Sequence, residues 1–213
     1  MALLTTIRKP FRYEFKNTAF ILIGVNLLVF LLTNSSPNLV QYLALNPLYV
    51  MRGGMFWQVF TYQFVHGGIG HLLSNMIGLF FFGLAVERKI GSKEFVLLYL
   101  LSGTLCGILS LVVYLASGIS YVFLMGASGA VFAILLAYAV LYPRSIIYLW
   151  AIIPIPAPIL IIGYAALETM HLVGGRNTGV AHGTHLIGFA VSWIYFLVRF
   201  GINPLHVWFG KRR

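Results

Sequence analysis

The chain has 213 residues, of which 60% are hydrophobic and only 8% are charged. A soluble globular domain carries about 25% charged residues, so this composition excludes an ordinary water-facing surface and predicts one integral membrane domain. The formal net charge of +10 does not indicate nucleic acid binding, because the basic residues form short clusters between apolar runs. The positive-inside rule explains such clusters, and the lipid bilayer is therefore the expected partner.

Six apolar segments are candidates for membrane-spanning helices, since a helix needs about 20 mainly apolar residues to cross a bilayer. They are residues 17–33, 71–86, 95–117, 120–142, 156–173 and 180–200. The first segment follows a basic stretch and precedes no small-residue cleavage site, which predicts a retained signal anchor. Residues 146–155 are apolar but bordered and interrupted by prolines, which predicts an extended, interfacial segment.

The basic residues predict the orientation of this all-α, six-helix membrane bundle. With six spans, every lysine and arginine falls on one side of the membrane except Arg52 and Arg176. Both termini are therefore expected in the cytoplasm. The predicted division is a tail at 1–16, a six-span domain at 17–200 and a basic tail at 201–213. Residues 34–70 form one long outer loop that is rich in aromatic residues and is expected to lie partly in the membrane interface.

Polar residues inside predicted spans are functional candidates, because burying them in lipid is costly. His71 and Asn75 fall in the second span, Ser128 in the fourth and His185 in the sixth. Asn75, Ser128 and His185 precede the arginine that ends each of these spans by 13, 16 and 14 residues. At 1.5 Å per residue, all three groups lie about 20–24 Å from the inner boundary. Three groups at one depth predict a shared site if the three helices are neighbours.

Nucleophilic catalysis is the chemistry that these residues favour. A serine becomes a nucleophile when a nearby base takes its proton, and histidine is an apt base near neutral pH. The chain contains no aspartate, so a Ser–His–Asp triad is impossible and the pattern predicts a Ser128–His185 dyad. Asn75, His71 and the Ser128 backbone N–H are candidates to stabilise an oxyanion. Taken singly, Ser128 lies in a stripe of small residues that would also suit close helix packing.

A metal site is the weaker interpretation of the histidines. His182 and His185 are spaced i, i+3, and His66 and His71 might complete a ligand set. The sequence contains no His-Glu-x-x-His motif, and no carboxylate is expected at the depth of these histidines. A metal ion is therefore not predicted.

The residues at these positions resemble those of the rhomboid family of intramembrane serine proteases, over about 56–200. The segment Gly126-Ala-Ser-Gly129 resembles the family's nucleophile motif, and His185 with Gly188 resembles its sixth-span motif. His71-Leu-Leu-Ser-Asn75 resembles the second-span histidine and asparagine that help to hold the oxyanion. The turn at residues 86–91 is also similar.

This resemblance implies a six-helix bundle around a water-filled cavity that opens to the outer face of a plasma or inner membrane. The implied substrates are single-span membrane proteins that unwind near that face, and the resemblance implies that no metal or organic cofactor is needed. Gly126 and Phe132 match positions that support the dyad, Phe132 by packing on the catalytic histidine. Gln58 departs from the family, where an arginine commonly follows Trp57, and Ser192 stands where a glycine is common. Two alternatives stay open: a rhomboid-like protein that binds membrane proteins without cutting them, and a metal-handling or transport protein.

Overall fold

The computed structural model describes residues 7–149, 152–174 and 181–210, and its architecture is mainly helical. In chain order the helices are Thr18–Ser35 (α1), Pro37–Leu43 (α2), Pro47–Gly53 (α3), Gln58–Thr61 (α4), Ile69–Ile90 (α5), Ser92–Ala116 (α6), Ser128–Leu141 (α7), Ala157–Val173 (α8), His182–Phe200 (α9) and Pro204–Phe209 (α10). A single π-helical turn lies within α5 at Leu79–Gly83 and another ends α9 at Phe196–Phe200. Strands Ile146–Leu149 (β1) and Ile153–Pro156 (β2) pair antiparallel, with Ile146 opposite Pro156. The described part of the predicted extended segment, residues 146–149 and 152–155, is thus largely extended, as the prolines predicted.

Four helices in the described residues, α1, α5, α6 and α9, are long and apolar enough to cross a membrane. Helices α7 and α8 are also apolar but shorter, at 14 and 17 residues. The predicted all-α membrane fold is confirmed, whereas the count of six spans and the cytoplasmic location of both termini stay predictions. The predicted start of the last span at residue 180, and Arg176, lie outside the described residues. So do 1–6 and 211–213 of the predicted tails.

The predicted start of the fourth span was wrong by eight residues, because α7 begins at Ser128 and not at residue 120. The preceding segment is held out of the helix by backbone pairing: Leu124 and Leu45 exchange hydrogen bonds of 2.9 and 3.0 Å. Gly126 then adopts φ +118°, a conformation that side-chain-bearing residues rarely take. This tertiary pairing places Ser128 in the first turn of a helix and not in its middle.

Residues 36–64, which were predicted as part of a loop, fold into three short helices and a 3₁₀ turn. Gln58 is fully buried there: its carbonyl oxygen accepts from the Asn46 N–H at 3.0 Å, and its amide donates to the Gln41 carbonyl at 2.8 Å. The Trp57 indole donates to the Tyr42 carbonyl at 2.8 Å. Gln58 therefore anchors this segment itself, although it departs from the family pattern.

The small residues Gly103 and Gly107 of α6 make room for α4 and the turn after it. The Tyr62 hydroxyl donates to the Gly103 carbonyl at 2.7 Å. A Cβ atom at Gly107 would lie 2.4 Å from the Val59 carbonyl oxygen. Two small residues four positions apart on α6 thus allow the short helix α4 and the following turn to pack closely against it.

Helix α7 lies at the centre of the bundle, in contact with α5, α6, α8 and α9. Most of its side chains are buried, including Ile134 and Ala137 at 0% exposure. A helix that is apolar on all sides is expected at such a position. The neighbours of Ser128 are therefore set by four surrounding helices.

One end of the bundle, here called the basic end, carries Arg88, Arg199 and two buried carboxylates. Glu87 accepts from the backbone N–H groups of Thr18 and Ala19 at 2.7 and 2.9 Å, and so caps the start of α1. The Arg199 guanidinium donates to both oxygens of Glu94 at 2.7 and 2.8 Å. These contacts tie α1 to α5 and α6 to α9.

Candidate active site

The segment before Ser128 is fixed by backbone and steric contacts. The Gly126 N–H donates to the Tyr62 carbonyl at 3.1 Å. A Cβ atom at Gly126 would lie 2.6 Å from two atoms of the His71 ring, and its φ of +118° disfavours other residues independently. Glycine at this position therefore allows the imidazole of the second predicted span to lie directly against the Ser128 segment.

His66 also holds the segment before Ser128, through a hydrogen bond with Ala127. Its Nε2 accepts a hydrogen bond of 3.4 Å from the Ala127 N–H, and its Nδ1 lies 3.3 Å from the Phe64 carbonyl. These partners assign the proton to Nδ1. Burial and the neighbouring His71 lower the pKa of His66 to about 4, so this imidazole is neutral at physiological pH. The sequence drew attention to His66 only as a metal ligand, whereas the structure gives it a role in positioning.

Ser128 is half-buried and occupies the first position of α7. Its hydroxyl makes no hydrogen bond to any other residue that the structure describes. The first N–H groups of a helix have no intrahelical acceptor, and the helix dipole adds partial positive charge at this end. A serine here has a free hydroxyl beside backbone donors that favour negative charge.

Asn75 lies on α5, opposite the start of α7. His71, one turn before Asn75, lies against Gly126. Gly78, one turn after Asn75, lies against α7, because a Cβ atom at Gly78 would be 2.8 Å from Val131. Asn75 is buried, and its amide donates to the His71 carbonyl at 2.9 Å. The structure therefore brings both predicted oxyanion residues beside the first turn of α7.

His185 lies on α9, which crosses α7 in backbone contact. A Cβ atom at Gly188 would lie 2.3 Å from the Gly129 carbonyl oxygen. The Phe132 ring stacks on the His185 ring, with centroids 4.1 Å apart and planes 13° apart. Ser128 is the residue directly before Gly129, and His185 lies one turn before Gly188. Ser128 and His185 therefore lie on facing helices near this crossing. Their mutual hydrogen bond stays a prediction, since catalytic hydrogen bonds are often long without substrate.

Glu168 of α8 is the functional candidate that the sequence analysis missed. One of its carboxylate oxygens lies 3.0 Å from Nδ1 of His185, and the other is hydrogen-bonded to Nδ1 of His182. All three side chains are buried. The expectation that no carboxylate lies at the depth of these histidines was therefore wrong. Glu168 lies in the second-last turn of α8 and contacts two histidines in the first turn of α9.

The same three residues form the one cluster within the described ranges that has the composition of a metal site. Their ligand atoms lie within 4.8 Å of one another. The third candidate ligand is Glu168, whereas the sequence analysis had suggested His66 and His71 as further metal ligands. Both carboxylate oxygens already accept hydrogen bonds from imidazoles, so a metal would have to displace two protons.

The chain belongs to the rhomboid family. The model of the rhomboid domain matches residues 53–202, which include Ser128, His185 and every other predicted site residue. The predicted family membership is therefore confirmed, and with it an intramembrane protease family as the class of this fold and site.

Named relatives carry the same family name. The chain is 35% identical over 157 residues to RHOMBOID-like protein 12, mitochondrial, of Arabidopsis thaliana, which is 67% of this chain and 46% of that protein. It is 34% identical over 164 residues to RHOMBOID-like protein 4 of the same plant, covering 76% of this chain and 39% of that protein. It is 35% identical over 88 residues to the putative rhomboid protease YdcA of Bacillus subtilis (strain 168), covering 41% and 42%. The chain spans about half the length of these relatives or less.

Proposed function

We propose that this protein is an intramembrane serine endopeptidase that hydrolyses peptide bonds in or near transmembrane segments. Ser128 is the nucleophile and His185 the general base. The observation that supports this assignment is the crossing of α7 and α9 at Gly129 and Gly188, because it brings the helices that carry the two residues together. The buried surroundings of His185 provide the water-restricted setting that such a dyad needs.

The reaction follows the usual two steps of serine hydrolysis. Ser128 Oγ attacks the carbonyl carbon of the scissile bond while its proton passes to Nε2 of His185. That proton then passes to the leaving amine nitrogen as the C–N bond breaks, which leaves an acyl group on Ser128. A water molecule, deprotonated by His185, attacks the acyl carbon and releases the second product with Ser128 reprotonated.

The negative charge on the tetrahedral oxygen is stabilised by donors around the start of α7. They are the Ser128 N–H, the second amide hydrogen of Asn75 and the His71 imidazole. Gly126 supports this arrangement by leaving space for the His71 ring. Phe132 supports the base by stacking on the His185 ring.

The substrates are proposed to be single-span membrane proteins, and the enzyme is an integral membrane protein. Access from the outer face of a plasma or inner membrane, and cytoplasmic termini, follow from the positive-inside rule applied to the basic end. No metal or organic cofactor takes part in the steps above.

A cleavage assay on the full chain in liposomes tests the proposal. Wild-type protein and Ser128→Ala are reconstituted with a generic single-span substrate, and products are followed by gel and mass spectrometry. We expect specific cleavage by the wild type and a loss of roughly 10⁴–10⁶-fold in the variant. The melting temperature should not change, because the Ser128 hydroxyl makes no hydrogen bond within the described residues. Equal cleavage by both proteins would exclude Ser128 as the nucleophile.

A metal-binding membrane protein is the second candidate, favoured by the Glu168–His182–His185 cluster. It predicts one tightly bound zinc ion per chain, lost in His182→Ala. Elemental analysis of the purified protein decides between the two: stoichiometric zinc without Ser128-dependent cleavage favours the metal protein, and cleavage that survives chelation favours the protease.

A further inference from the structure

Glu168 is joined to the proposed catalytic base by a direct hydrogen bond. The distance from its Oε1 to His185 Nδ1 is 3.0 Å, and both residues are buried. An ionised carboxylate can only accept hydrogen bonds, so the proton of this bond belongs to Nδ1 of His185. The opposite nitrogen, Nε2, is then the unprotonated one in the neutral ring.

We propose that Glu168 is a positioning residue that completes a Ser128–His185–Glu168 relay, in place of the simple dyad. This inference rests on the proposed function. The carboxylate holds the His185 ring in the tautomer that leaves Nε2 free to accept the Ser128 proton. It also stabilises the imidazolium that forms when that proton arrives, as the third member does in other serine hydrolases.

Two further contacts restrict the His185 ring to this orientation. Phe132 stacks on one face of the ring with planes only 13° apart, so rotation of the imidazole would break both the stack and the hydrogen bond. His182 occupies the other carboxylate oxygen, Oε2, which fixes the plane of the carboxylate. A ring held at its face and at Nδ1 has little freedom left, which is what pre-organisation of a base requires.

The position of Glu168 in the chain also fits this role. It lies in the second-last turn of α8, which ends at Val173, and His185 lies in the first turn of α9. Buried carboxylates are expensive in a membrane and rarely occur without a function or a partner. A purely structural tie between α8 and α9 would need only one hydrogen bond, whereas this carboxylate uses one oxygen for each histidine.

The test compares Glu168→Gln with a matched control on the same helix, Thr169→Ala, in the liposome cleavage assay. Glutamine keeps the shape of the side chain but removes its charge and one acceptor, so we expect kcat to fall roughly 10²–10⁴-fold while KM stays within three-fold. Thr169 is exposed and its hydroxyl donates to the Ala165 carbonyl of its own helix at 2.7 Å, so kcat of Thr169→Ala should stay within about three-fold of wild type. Equal losses of kcat in both variants, or wild-type kcat in Glu168→Gln, would overturn the assignment.

If Glu168→Gln does not fold, the relay can still be tested on protein that keeps Glu168. Solid-state NMR of protein labelled with ¹⁵N-histidine reports which ring nitrogen carries the proton, and the His185 signals are those lost in His185→Asn. We expect Nδ1 protonated and Nε2 unprotonated at neutral pH. The opposite tautomer would refute the relay. If the wild type shows no Ser128-dependent cleavage, the proposed function itself fails; if it does and Glu168→Gln matches it, only the relay fails.

Discussion

The two ends of the bundle both contain buried carboxylates, but their partners differ in kind. At the basic end, Glu94 faces the permanently charged guanidinium of Arg199, and Glu87 faces backbone N–H groups. At the other end, Glu168 faces two imidazoles, a group that can act as a general base. Fixed partners hold helices together, whereas titratable partners support chemistry. The nature of the partner, and not the burial of the carboxylate, therefore separates a structural site from a candidate catalytic one.

The largest effect is expected from His185→Ala, which removes the proposed base. Cleavage in liposomes should fall roughly 10⁴–10⁶-fold in kcat, while the helical circular dichroism spectrum stays unchanged. Residual cleavage within ten-fold of wild type would mean that the imidazole is not the base and that the two ends do not differ as described.

The second-largest effect is expected from a substitution at the basic end, which should change stability but not catalysis. Glu94→Gln leaves Arg199 as an unpaired charge in a pair whose side chains are 3% and 11% exposed, which should lower the free energy of unfolding by about 3–5 kcal/mol. Lys93→Gln is the control, because its ion pair with Glu14 is exposed and should contribute less than about 1 kcal/mol. Denaturation in mixed micelles measures both variants. A normal kcat per folded molecule is expected, and a selective loss of kcat in Glu94→Gln would remove the distinction between the ends.

A smaller effect is expected from Asn75→Ala, as an oxyanion donor contributes about 2.7–4 kcal/mol to the barrier, or 10²–10³-fold in kcat. The chain offers a close control, since Ser74 is exposed and donates to the same His71 carbonyl at 2.9 Å. Ser74→Ala should therefore keep its kcat in the cleavage assay. Similar kcat values for both variants would show that Asn75 only stabilises its own helix, through the hydrogen bond to the His71 carbonyl.

The smallest effect concerns His66, which lies near Ser128 but has a positioning role. The pKa of His66 is about 4 in the folded protein against an ordinary value of 6.5. Between these values the unfolded chain binds a proton that the folded protein does not, so stability is lost as pH falls from 6.5 to 4, by up to about 3 kcal/mol. Denaturation curves at several pH values should show that His66→Asn lacks this component. An unchanged pH dependence in the variant would contradict the neutral, buried state of His66.

Much of the fold follows from the sequence because every membrane-spanning helix must be apolar and long enough to cross the bilayer. The apolar runs near α1, α5, α6 and α9 predicted those helices to within a few residues, since their ends coincide with charged or turn residues. The start of α7 was not predictable in this way. Residues 120–127 are apolar enough to continue a helix, but backbone contacts with distant residues, such as the pairing of Leu124 with Leu45 79 residues earlier, hold them out of it.

The candidate site was predictable in part for a similar reason. Counting residues from the arginines placed Ser128, Asn75 and His185 at one depth, because helical rise is constant. Glu168 was missed because α8 runs in the opposite direction, so its depth was not counted back from an arginine that follows the span at the inner boundary. A usable signal existed: Glu168 lies near the end of one predicted span and His182 near the start of the next, and successive spans run in opposite directions, so such residues fall at the same side of the membrane.

Labelling with a fluorophosphonate tests the central claim most directly, since this probe reacts only with an activated serine. Folded protein in liposomes is treated with the probe, digested and analysed by mass spectrometry, with His185→Ala in parallel. We predict that wild-type protein is modified at Ser128 and that the rate falls at least 10³-fold in the variant. Modification of wild type and variant at equal rates, or no modification of Ser128 in folded wild-type protein, would contradict a serine activated by His185.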